Sequence, residues 1–187
     1  MECSQVLNIL TLIVSLVGLI IAVYIPVRIM QYQQYTNLSP VYMNSEFGHA
    51  FQSVIDFFHD DCNCDVERIP EEYIKRYNSD FEKLKNGKIQ KESVLHYQRR
   101  LLSVYFCDLD NCRSSNRKLR KIIKKDWTTS ESYVLKIIIC MNDVVKKQFM
   151  KDISSIKHQY IPRVKGISEY LDRLSTELSD GKPWMQL

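Results

Sequence analysis

Residues 6–25 read VLNILTLIVSLVGLIIAVYI, and this run decides how the rest of the chain is read. No charged residue occurs from Val6 to Val27, in a chain of 187 residues of which 26% are charged. An α-helix rises about 1.5 Å per residue, so such a run spans roughly 30 Å, the hydrocarbon thickness of a bilayer. Core helices of soluble domains seldom stay uncharged this long. A cleaved leader wants a basic start and a small-residue cleavage site. Here Glu2 is the only charge ahead of the run, and Tyr24-Ile25-Pro26 closes it. One transmembrane helix is expected within residues 1–30.

Orientation follows from the basic residues. None precedes the run; Arg28 and a basic remainder follow it. The positive-inside tendency puts that remainder in the cytoplasm. Six cysteines (Cys3, Cys62, Cys64, Cys107, Cys112, Cys140) then read as free thiols in a reducing compartment.

Working outward, residues 31–43 read as a helical extension or linker. Tyr24, Tyr32 and Tyr35 suit the headgroup level, and Ser39-Pro40 is expected to break the helix. Residues 44–180 read as one all-α cytoplasmic bundle, with 181–187 as a tail. Its helices are expected at 45–59, capped by Asn44 or Ser45; from Pro70 to Asn86-Gly87; and at 89–108. A loop is expected at 108–116, then a short helix at 117–126. A long helix capped by Thr129 or Ser130 should run from Glu131 to near Tyr160, and a last one cover 163–179. No alternating run between turn pairs suggests a strand.

Within the membrane run, Ser4, Asn8, Thr11, Ser15, Gly18 and Ala22 are spaced 4, 3, 4, 3, 4. That spacing is a heptad stripe and places all six on one helix face. Hydroxyls and an amide are better satisfied by neighbouring helices or water than by lipid. The stripe therefore reads either as helix-on-helix packing or as a pore lining, with Arg28 at its cytoplasmic mouth.

A second feature is the basic run. Arg113, Arg117, Lys118, Arg120, Lys121, Lys124 and Lys125 precede Asp126 with no acid among them. Leu119, Ile122 and Ile123 give the same segment an apolar side. Anionic lipid heads, RNA phosphates or a protein partner suit it, although a net charge of +4 is small for a dedicated nucleic-acid binder. His59, Cys62 and Cys64 contain soft ligands, but their spacing is not a usual zinc pattern, so no metal or cofactor is expected. No phosphate loop, G-x-S-x-G or H-E-x-x-H occurs.

An N-terminal membrane helix followed by a basic, Lys-, Tyr- and Ile-rich helical domain resembles one group. These are the small membrane accessory proteins encoded beside the RNA-guided RNA nuclease of type VI-B CRISPR systems. The resemblance implies a divergent HEPN domain, a ring-like homo-oligomer and a pore in a bacterial inner membrane that supports antiviral defence. It also implies a non-enzymatic role, with an RNA-guided nuclease and its RNA as partners. Active HEPN ribonucleases carry an Arg and a His separated by four to six residues. Here Lys91…His96 and Lys151…His158 hold Lys in the Arg position, and Lys lacks the planar fork of Arg. They are at most relics of a site. Two other readings stand beside the pore: a membrane-tethered HEPN-like RNA binder or ribonuclease, and a non-catalytic adaptor that recruits a nuclease to the membrane.

Overall fold

The computed structural model describes residues 3–42, 44–152, 171, 174 and 175. The described residues form six α-helices and no strand. The first, α1 (Cys3–Tyr42), is one 40-residue helix. It is long and apolar enough to cross a membrane. Every residue from Asn8 to Val27 is exposed.

The break expected at Ser39-Pro40 does not occur, and the extension is continuous with the apolar part of the helix. Pro40 lies in the last turn, so only two helical residues follow the hydrogen bond it forfeits. The preceding turns are held from outside, because Tyr32, Tyr35 and Leu38 pack on Leu109, Cys112, Leu119 and Ile123. Pro26 is likewise accommodated within the helix.

The bundle begins with α2 (Ser45–Asp56), capped by Asn44, whose side chain accepts the Phe47 N–H at 2.8 Å. The expected 45–59 helix is present, but its last part widens into a π-type turn over Phe57–Asp61. Asn63 and Cys64 then turn the chain with positive φ. Pro70 stands in the first turn of α3 (Ile69–Lys85), where its missing N–H costs nothing. That helix ends as expected at Asn86-Gly87. Lys88 N–H donates to Lys83 O and Gly87 N–H to Leu84 O, a paired closure that needs the φ of +65° at Gly87.

The fourth helix differs from expectation at both ends. Residues 91–93 form a short 3-10 turn, and α4 runs Leu95–Ser115, through the segment read as a loop. The loop reading followed the polarity of 108–116. Yet Leu109 and Cys112 are buried at helical spacing, and Asp110 and Arg113 neutralise each other inside the protein. Helix α5 (Arg117–Asp126) has the expected bounds.

Helix α6 (Thr129–Asp152) follows. Its cap is Thr128, one residue earlier than expected: Thr128 Oγ1 accepts the Glu131 N–H, and Glu131 Oε2 accepts the Thr128 N–H. This reciprocal pair is a capping box. The stretch of this helix expected beyond Asp152, most of the 163–179 helix and the 181–187 tail lie outside the described residues. Leu171 and Leu174 are helical and fully buried in the main core.

That core lies between α2, α3, α4 and α6, around Phe57, Phe58, Leu102, Phe106, Leu135 and Ile138. A smaller cluster joins α4 and α5 to the lower part of α1. The bundle is thereby fixed to α1 beyond its apolar run.

Candidate functional site

Helical phase decides which residues of α1 share a face. At about 100° per residue, Asn8, Thr11, Ser15, Gly18 and Ala22 fall within about 40° of a common direction. All five are exposed, and a methyl group at Gly18 would meet nothing within 4 Å. The side chain of Ser4, on the same face by phase, lies outside the described residues. Arg28 departs from the set: it is about 120° round the helix from the stripe. Its guanidinium lies over the Tyr24 ring at 4.8 Å, and Nη1 donates to Gln31 Oε1 at 3.4 Å.

Gln31, Tyr35 and Leu38 lie about 140–180° round α1 from the stripe, with Arg28 and Tyr32 on their flank, and this is the side the bundle occupies. Gln31 Nε2 donates to Ser115 O at 3.2 Å, and Asn116 Nδ2 donates to Gln31 Oε1 at 3.2 Å. Asn116 is also the cap of α5, accepting the Lys118 N–H at 2.9 Å. An open furrow of about 460 Å³ runs beside this junction, along Tyr24, Arg28, Tyr32 and Thr36. The bundle thus docks nearly opposite the polar stripe and leaves the stripe's face clear.

The basic run divides. Arg113 is 2% exposed and bonded to Asp110 at 2.6 Å, so it belongs to the interior. Arg117, Lys118, Arg120, Lys121, Lys124 and Lys125 are all exposed, while Leu119 and Ile123 are buried beneath them.

The two members of the first proposed relic pair stand in different surroundings. Lys91 is exposed, with its ammonium 4.9 Å over the Tyr97 ring. His96 is half-buried among Tyr77, Phe81 and Tyr97, with Nδ1 3.0 Å from the Tyr73 hydroxyl. Burial, reinforced by Arg99 and Arg100, lowers its pKa from 6.5 to about 4. The ring is therefore neutral near pH 7 and poorly suited to protonate a leaving group. The Lys151 side chain and His158 lie outside the described residues.

Sequence reasoning passed over a buried polar cluster beside His96. Arg99 donates to Asn142 Oδ1, Asn142 Nδ2 donates to Ser103 Oγ at 3.1 Å, and Ser103 Oγ donates to Arg99 O at 2.9 Å. Arg99 is 6% exposed, and its Nε has no hydrogen-bond partner among the described residues. The i,i+4 step from Arg99 to Ser103 was visible in the sequence; Asn142 was not. All three residues are buried, and their hydrogen bonds fasten α4 to α6.

Near the π-type turn, Cys64 Sγ lies 3.0 Å from His59 Nδ1, both exposed. Cys62 is buried apart from them, and desolvation lifts its thiol to about 12. Among the described residues no three His, Cys, Asp or Glu side chains converge to hold a metal ion.

Comparison with known proteins finds no matching family model, no similar curated protein and no similar solved structure.

Proposed function

We propose that this protein is a membrane-anchored homo-oligomeric effector. Its α1 helices associate stripe to stripe around a pore in a bacterial inner membrane, and its bundle lies on the cytoplasmic side. The observation that carries the reading is the placement of the bundle. It docks on the side of α1 nearly opposite Asn8, Thr11 and Ser15, so neighbouring α1 helices can meet on the stripe without moving it. Asn8 makes the strongest demand. Serine and threonine hydroxyls can fold back onto a carbonyl of the preceding turn. A carboxamide has two donors and an acceptor, more than one helix satisfies in hydrocarbon. Water or neighbouring copies supply what is left.

The resemblance to the type VI-B accessory group, with its HEPN-like domain, gives this pore a setting. An RNA-guided nuclease responding to invading RNA would be its partner, and opening would depolarise the infected cell. The effector needs no cofactor and performs no catalysis of its own. Arg28 is not in the lining set of this reading. It belongs to the docking face.

The test is ion flux from vesicles holding the full-length protein. Leu at Asn8, Thr11 and Ser15 together abolishes flux and leaves insertion intact. Flux that survives the triple substitution removes the lining assignment. Replacing residues 1–30 by an unrelated membrane helix separates the rivals: a tethered RNA-binding protein, a ribonuclease or an adaptor keeps its activity, and a pore does not.

A further inference from the structure

We propose that the exposed basic face of α5 binds the anionic headgroups of the membrane that α1 enters. This rests on α1 as a membrane span, and not on the pore.

Position is the first argument. The cap of α5, Asn116, is bonded to Gln31, and Asp126 at its other end lies against the Tyr35 hydroxyl. Gln31 and Tyr35 are one turn apart, about 6 Å along α1, whereas Asn116 and Asp126 are about 15 Å apart along α5. Helix α5 therefore lies across α1 rather than beside it, with both ends near one level. That level is about 5–10 Å beyond Arg28, the first charge after the apolar run. The headgroup zone extends roughly 5–7 Å from each edge of the hydrocarbon, and Lys and Arg side chains reach as far again. A helix lying across the stem at this depth lies nearly flat against the membrane surface.

Charge is the second. Arg117, Lys118, Arg120, Lys121, Lys124 and Lys125 are exposed, and no acid interrupts the helix before Asp126. Leu119 and Ile123 are spent on the bundle and on α1, so α5 does not insert; it presents charge alone.

Side is the third. The junction is on the face of α1 away from the stripe, so lipid surrounds it around a lone α1 and equally in an association through the stripe. A surface facing lipid at headgroup depth meets anionic phospholipid before it meets RNA.

Full-length protein in nanodiscs of phosphatidylcholine, with or without phosphatidylglycerol, tests this by amine acylation read by mass spectrometry. Phosphatidylglycerol should lower the reactivity of Lys118, Lys121, Lys124 and Lys125 several-fold and leave Lys85 and Lys88, exposed at the end of α3, unchanged. In K121E/K124E the protection of Lys118 and Lys125 weakens by roughly fivefold for each basic residue lost. Equal reactivity in both discs, with α1 still shielded from protease, overturns the lipid assignment and leaves the span standing. Protection by added single-stranded RNA but not by phosphatidylglycerol overturns it in favour of nucleic acid. An α1 open to protease overturns both this proposal and the membrane reading beneath it.

Discussion

From Asn8 to Val27 the side chains of α1 are exposed whether apolar or polar, whereas the polar side chains buried in the bundle lie against others of the same chain. Arg113 has Asp110, and Asn142 has Arg99 and Ser103. The bundle fills its main core with its own residues. Among the described residues, no side chain from Asn8 to Val27, the apolar half of α1, is buried against the bundle. Lipid suits its leucines and isoleucines, and its Asn8 and Ser15 call for something else. The contrast teaches that the two regions are finished differently: the bundle packs mainly on its own residues, and the apolar half of α1 is left to its surroundings.

The sharpest way to break the contrast is inside the bundle. D110A leaves the Arg113 guanidinium buried without its carboxylate and should cost about 3–5 kcal/mol. Thermal unfolding followed by near-ultraviolet circular dichroism reads the loss. S15L, on the membrane half, should leave the same transition unmoved. If both shift it equally, the two halves are not independent.

Acid is a gentler probe of the same interior. His96 is held at about 4 by burial and by two arginines, against 6.5 when free. Above pH 6.5 neither state is protonated, and its full contribution to stability is present. As pH falls from 6.5 toward 4, the unfolded chain takes up a proton that the folded bundle refuses, so stability declines through that window. H96N should flatten the decline; an unchanged slope in denaturant melts would assign it to other groups.

Two smaller effects test the ends of helices. G87A places a side chain at positive φ where α3 closes and should cost about 1 kcal/mol. N116A removes both the α5 cap and the tie to Gln31. It should also cost about 1 kcal/mol. Unlike G87A, it should raise amide exchange in α5 selectively, because it loosens the joint between the two regions.

Much of the fold could be read from residue order. The apolar run, Pro70 at the start of α3, Asn86-Gly87 at its end and the alternation of basic and apolar residues in α5 are all local signals. The departures came where packing outweighs local chemistry. Ser39-Pro40 has a breaker's signature, but Tyr32, Tyr35 and Leu38 are clamped by α4 and α5, and the helix continues. Residues 108–116 look like a loop by polarity, and the burial of Leu109, Cys112 and the Asp110–Arg113 pair makes them helix. Thr128-x-x-Glu131 was a legible capping box, displaced by one residue in favour of the adjacent hydroxyls. For the candidate site, the phase of the stripe was readable, and so was Arg28's distance from it. The tie between Gln31 and Asn116 crosses 85 residues, and no local signal announces it.

The central claim is that α1 is completed by other copies of itself. The most direct measurement is the mass and single-particle shape of the full-length protein purified in detergent. A closed ring, with a stem of α1 helices at its centre and bundles around it, is the predicted result. A monodisperse monomer with the stripe facing detergent would contradict the account and leave α1 as a plain anchor.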